Sequence, residues 1–184
     1  MIKSDLQLDA KGLACPLPIV RTKKAMVEAA DGQVLEVQAT DKGSTADLAA
    51  WAKTVGHQYI GTQEEDGVLY HYIRKCSQEM HETEKDFEYV IANKEILSRN
   101  GLILDVRETA EFVFGHVPGA KSIPMGELEG RLVELDKEQE IYVICRTGTR
   151  SSLAAHMLAE KGYTKVYNVL PGMNDWSGEL SKDI

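Results

Sequence analysis

The chain has 184 residues, 43% hydrophobic and 27% charged, with a formal net charge of −8. That length suits one large domain or two small ones, and the acidic balance argues against nucleic acid as a partner. No stretch approaches the roughly 18 consecutive apolar residues of a membrane span, and the segment Met1–Asp5 carries no apolar signal core.

In chain order, Leu6 and Leu8 mark a short alternating strand, and Pro18 to Ala30 has helical period until Asp31-Gly32 ends it. A strand begins at Val34 and stops near Thr40. Ser44 or Thr45 is placed to cap a second helix through Val55, with Gly56 at its C-terminal end. Tyr59-Ile60 and Val68 to Ile73 read as two strands joined across Glu65-Asp66-Gly67, a hairpin signal. The expected fold of residues 1–75 is a two-layer α/β sandwich, a four-stranded mixed sheet with two helices on one face.

Residues 76–86 are polar and without apolar period, which predicts a mobile linker. From residue 87 to 184 strands and helices alternate. Leu102–Leu104, Ile141–Ile144 and Val166–Val169 are short apolar runs, as expected of a parallel sheet covered on both faces. Ser151 to Lys161 carries Leu153, Ala154, Met157 and Leu158 on one helical face, and Gly162 closes it. Ligands of such sheets bind at the carboxyl ends of the strands, and Cys145 lies at one of those ends.

Cys145 opens the run Cys145-Arg146-Thr147-Gly148-Thr149-Arg150 between an apolar strand and an amphipathic helix. Residues 146–151 lack proline, so each amide is free to turn toward the sulfur, and helix N-termini and amide nests favour anions. Flanked by Arg146 and Arg150, the thiol is expected to ionise more easily than a free cysteine. Such a thiolate can attack sulfur, phosphorus or a carbonyl carbon. Acyl transfer needs a histidine base, and none of the five histidines adjoins Cys145 in sequence, though His116 could approach in the fold. Phosphate-ester hydrolysis by cysteine uses a loop one residue longer. The tighter loop here suits a sulfane sulfur better than a phosphoryl group.

At these residues the second half resembles the rhodanese family. The resemblance rests on Cys145–Ser151 after its strand, on Leu104-Asp105-Val106-Arg107-Glu108, and on Gly115-His116-Val117-Pro118-Gly119-Ala120 with Ile123-Pro124. Val169-Leu170-Pro171-Gly172-Met173 with Trp176 completes it, although Pro171 stands where the family often has glycine. It implies that Cys145 accepts a sulfane sulfur as a persulfide and passes it to a thiophilic acceptor, with Arg146, Thr147, Gly148, Thr149 and Arg150 forming the substrate loop. Asp105, Arg107 and His116 are read as structural.

Cys15 lies in Gly12-Leu13-Ala14-Cys15-Pro16-Leu17-Pro18, where the first helix should begin. Proline is favoured in a first helical turn, and the positive helix end should lower the thiol's pKa slightly. Without an adjacent arginine, Cys15 is expected to be less activated than Cys145. Arg21, Lys23 and Lys24 form either a docking patch for acidic partners or a solvated face. The segment is similar to the TusA/SirA-like sulfur-carrier domain in Leu8-Asp9, Gly12, the Cys-Pro-Leu-Pro run, Lys23-Lys24, Asp41-Lys42-Gly43-Ser44 with Asp47, Trp51 and Gly56-His57. Lys42 replaces a proline common in that loop. The resemblance implies that Cys15 also carries sulfur as a persulfide.

His71, Cys76 and His81 have a metal-like rhythm but supply only three ligands where structural zinc takes four, so no metal or cofactor is expected. Three widely spaced cysteines do not form a secreted disulfide framework, which points to a reducing, cytoplasmic setting. The expected function is a sulfurtransferase with a small sulfane-sulfur donor and a thiol or sulfur-carrier acceptor, Cys15 of the same chain included. A roughly twelve-residue linker reaches about 20 Å and gives a local concentration of order millimolar. The alternatives are a non-catalytic sulfur carrier or redox sensor and, less consistent with the loop, a cysteine phosphatase or arsenate reductase.

Overall fold

A computed structural model describes residues 2–77 and 86–184. The expected linker, residues 76–86, therefore falls mostly outside the described residues, as does His81. The chain divides into two compact units, Met1–Thr83 and Glu84–Asp183.

The first unit runs β1 (Leu6–Ala10), α1 (Leu17–Glu28), β2 (Val34–Ala39), α2 (Ser44–Val55), β3 (Gln58–Glu65) and β4 (Val68–Arg74). Its sheet has the order β1-β2-β4-β3, with β1 parallel to β2 and the other pairs antiparallel. Alternation decides which side is core. Leu35 and Val37 of β2 and Ile73 of β4 bury one face against Met26 of α1 and Leu48 and Ala52 of α2. Asp66 and Gly67 both have positive φ, 51° and 78°, the two-residue turn that matches the twist of a hairpin. Ser44 does not cap α2 through its side chain as expected. The cap position is Gly43, and the Ser44 hydroxyl instead bonds the Asp41 carbonyl at 2.6 Å and His71 Nε2 at 2.9 Å.

The second unit contains β5 (Val90–Ala92), α3 (Asn93–Ile96), β6 (Leu102–Asp105), α4 (Thr109–Phe114), β7 (Lys121–Ser122), β8 (Ile141–Ile144), α5 (Thr149–Glu160) and β9 (Val166–Leu170). All five strands are parallel, in the order β5-β9-β8-β6-β7. The apolar run of β8 is explained by its central place. Ile141 and Val143 join a core with Ala154 and Leu158 of α5, while Tyr142 and Ile144 join a second core with Ile91 and Ile96. None of the described helices is long and apolar enough to cross a membrane.

Candidate functional site

Cys145 follows the last residue of β8, at the carboxyl end of the sheet, and is only 1% exposed. The chain turns beneath it and starts α5 at Thr149, two residues earlier than the apolar period indicated. The sulfur accepts the Gly148 N–H at 3.1 Å and lies 3.2 Å from the Ser151 hydroxyl. Of the loop amides expected to face the sulfur, Gly148's is the one that bonds Sγ among the described contacts. Those of Thr149, Arg150 and Ser151 open α5, where helical geometry leaves them without an intrahelical acceptor.

Two glycines make this turn possible. Gly148 has φ 99°, and a Cβ there would come within 2.3 Å of Leu170. Gly172 has φ 89°, and its Cβ would meet the Cys145 carbonyl at 2.7 Å. That close approach lets the segment after β9 support the loop from below: Met173 N–H donates to the Cys145 carbonyl at 2.8 Å and Asn174 N–H to the Arg146 carbonyl at 2.9 Å. Gly172 itself is held on both sides by Asn93, whose amide donates to its carbonyl at 2.8 Å and accepts from its N–H at 3.1 Å.

The loop residues divide by exposure. Thr147 is exposed and Arg146 and Thr149 half-buried, so these meet solvent at the rim. Arg150 turns inward and forms a bidentate pair with buried Glu111, at 2.7 and 3.0 Å, with Glu108 at 3.9 Å. Burial works against that charge, but the Glu111 carboxylate, then Cys145 and Glu108, outweigh it and keep the guanidinium firmly protonated. Glu111 also accepts the Glu108 N–H at 3.0 Å, closing a capping box on α4. One carboxylate thus ties the start of α4 to the start of α5. Glu111 was not singled out from sequence. Its spacing from Glu108 was a usable capping signal, but its pairing 39 residues along the chain was not.

Asp105 and Arg107 are structural as expected: Arg107 donates to Asp105 from Nε at 2.9 and 3.0 Å and from Nη2 at 2.6 Å, and Nη2 also holds the Gly115 carbonyl at 2.8 Å. His116 stacks on Phe112 with ring centroids 3.7 Å apart and pairs through Nδ1 with the Phe112 carbonyl at 2.9 Å. It holds a turn.

Cys15 is exposed and precedes α1, whose cap position is Pro16 and whose second residue is Pro18. The expected lowering of its pKa by the helix is overturned. A hydrogen bond to Asp47 of α2, followed by desolvation and the charges of Asp47 and Asp41, pushes the thiol up. Pro16 and Pro18 carry no amide donor, and the Leu17 N–H between them is taken by the Ala14 carbonyl at 3.0 Å. Arg21, Lys23 and Lys24 are exposed, and Arg21 barely reaches the Asp9 carbonyl at 3.5 Å.

The remaining candidates are occupied. His71 is fully buried, Ser44 on Nε2 and Tyr59 and Thr62 on Nδ1 at 2.8 and 3.0 Å. Burial lowers its pKa to about 4. Cys76 is half-buried, with Arg74 Nη1 donating to its sulfur at 3.5 Å. Among the described residues no cluster of histidine, cysteine and carboxylate side chains is arranged to hold a metal ion.

Residues 6–75 match the family described as sulfurtransferase TusA, and residues 83–179 match the rhodanese-like domain. YrkF of Bacillus subtilis (strain 168), described as a candidate sulfur carrier protein, is 48% identical over 97% of this chain and 99% of its own length. YrkI of the same organism, also described as a candidate sulfur carrier, is 58% identical over 40% of this chain and 99% of itself. The sulfur carrier protein TusA of Allochromatium vinosum is 47% identical over 41% of this chain and 99% of itself. With both halves matched in order and one relative aligned across nearly its whole length, the chain belongs to the family that joins a TusA-type sulfur-carrier domain to a rhodanese-like domain.

Proposed function

We propose that the chain is a sulfurtransferase in which Cys145 takes a sulfane sulfur from a small donor, such as thiosulfate, polysulfide or a low-molecular-weight persulfide, and passes it to a thiol, Cys15 included. The observation that carries this reading is the environment of Cys145 Sγ, which receives the Gly148 N–H at the foot of α5. With thiosulfate, the Cys145 thiolate attacks the outer sulfur, the new S–S bond forms, and sulfite leaves with the electron pair of the broken bond. The product is Cys145–S–S⁻. Its outer, charged atom meets the free amides at the start of α5, the helix end that favours anions.

In this scheme Gly148 shapes the turn, while Arg146, Thr147 and Thr149 form the rim where a donor enters. Arg150 acts through Glu111, holding the loop closed around the sulfur. The second half-reaction returns the thiolate: a thiol R–SH and Cys145–S–S⁻ give R–S–SH and Cys145–S⁻. An exposed Cys15 in the carrier-type unit suits R, because its thiol is open to an incoming sulfur donor. A linker at residues 76–86 and a reducing, cytoplasmic setting belong to the same proposal; all three cysteines are free thiols.

The test is the mass of each cysteine-containing peptide after the full chain is incubated with thiosulfate or with polysulfide. One added sulfur atom on Cys145, followed by one on Cys15, is expected. If Cys145→Ser still loads Cys15 at an unchanged rate, the relay is wrong. Stoichiometric labelling without turnover, when donor and cyanide are both supplied, marks a passive carrier instead.

A further inference from the structure

Two buried side chains beside Cys145 have no part in the scheme so far. Ser151 is 0% and Asn168 2% exposed. Asn168, in the middle of β9, donates from Nδ2 to the Gly148 carbonyl at 3.2 Å, and this contact fixes which way its amide points. The same carbonyl accepts the Ser152 N–H at 2.9 Å, so both of its lone pairs are taken. The Ser151 hydroxyl also lies 3.1 Å from that carbonyl. Its single proton is therefore left with two competing acceptors, Asn168 Oδ1 at 2.6 Å and Cys145 Sγ at 3.2 Å.

The better acceptor changes during the reaction. In the persulfide, negative charge sits on the outer sulfur and Sγ is a neutral, weakly accepting atom. Asn168 Oδ1 then keeps the proton. During discharge the acceptor thiol bonds the outer sulfur, the Sγ–S bond breaks, and its electron pair stays on Sγ as a thiolate. The thiol proton leaves with the transferred sulfur as R–S–SH, so atoms and charge balance without an added oxidant or reductant. A hydrogen bond to an ionised acceptor is about twice as strong as one to a neutral acceptor, so the hydroxyl turns from Asn168 to Sγ as the charge appears.

We propose that Ser151 is a catalytic residue that stabilises the departing Cys145 thiolate by rotating its proton onto Sγ, and that Asn168 is the positioning residue that holds the proton until then. The inference rests on the sulfurtransferase reading. It predicts an asymmetry between the half-reactions. Loading consumes a thiolate, and a thiolate stripped of its hydrogen bond is the stronger nucleophile, which offsets part of the loss. Discharge has no such compensation.

The experiment is single-turnover kinetics on the full chain, loading from thiosulfate and discharging to dithiothreitol, with Cys145 peptide mass as the readout. Ser151→Ala should slow discharge by roughly ten- to a hundredfold and loading by much less. Ser151→Thr, which restores the hydroxyl, should recover most of the discharge rate. Asn168→Asp keeps Ser151 but offers its proton a carboxylate, and should also slow discharge selectively. Equal slowing of both half-reactions in Ser151→Ala, or unchanged discharge, overturns the inference while the wild type still loads. If Ser151→Ala does not fold, an unchanged discharge rate in Asn168→Asp has the same force. A wild-type chain that never gains sulfur at Cys145 overturns the underlying reading and this inference together.

Discussion

Cys145 and Cys15 each stand just before a helix, yet the two units give them opposite surroundings. The loop after Cys145 is free of proline up to Ser151; its Gly148 amide and the Ser151 hydroxyl meet the sulfur, and the thiol is 1% exposed. The turn after Cys15 has prolines at 16 and 18, loses those donors, and leaves an exposed thiol whose neighbour is the acceptor Asp47. A cysteine between a strand and a helix is therefore not a fixed chemical object. What faces the sulfur differs between the two: the Gly148 N–H and the Ser151 hydroxyl donate at Cys145, whereas a carboxylate that accepts stands at Cys15.

The contrast breaks most visibly at the two cysteines themselves. Cys145→Ser should abolish turnover of thiosulfate with cyanide, while Cys15→Ser leaves it near the wild-type rate; thiocyanate production checks both. Equal losses in the two variants contradict the division of labour.

Each unit also contains a buried polar network around a titratable side chain, Arg150 in one and His71 in the other, and these differ in kind. In the second unit, Glu111→Ala leaves the Arg150 guanidinium buried without its partner, which should cost about 3–5 kcal/mol. Urea unfolding followed by Trp176 fluorescence in a Trp51→Phe chain reads that loss.

In the first unit the network is neutral. Burial depresses the His71 pKa from 6.5 to about 4. Between those values the unfolded state binds the proton and the folded state does not, so stability rises with pH. The contribution is complete above about pH 6.5 and lost as pH falls toward 4, up to about 3 kcal/mol. Trp51 fluorescence in a Trp176→Phe chain should show this limb, and His71→Leu should remove it.

The smallest effect concerns Cys15. Asp47→Asn removes the group that holds the Cys15 proton and should raise its alkylation by iodoacetamide at neutral pH a few-fold. An unchanged rate means that Asp47 does not set the reactivity of Cys15.

Much of this was legible in the residues. The first unit's elements follow from alternation at Leu35 and Val37, from the helical periods, and from Asp66-Gly67. The central strands β6, β8 and β9 announced themselves as apolar runs because both of their faces are buried. Strands β5 and β7 did not. They have only three and two residues, and their pairing with β9 and β6 exists only in the assembled sheet. The helix α4 was likewise unread, since its six residues are too few for a period.

The sequence by itself determined that Cys145 would end a buried strand and start a tight, glycine-bearing turn, because strand, turn and helix signals are local and lie within a few residues. Only the tertiary structure decided what touches the sulfur's surroundings. Glu111 reaches Arg150 across 39 residues and Asn168 reaches Ser151 across 17, and Asp47 comes to Cys15 from another helix. Hydrogen bonds and charges act over a few ångströms of space, and separation along the chain does not reveal that distance until the sheets have brought their edges and ends together.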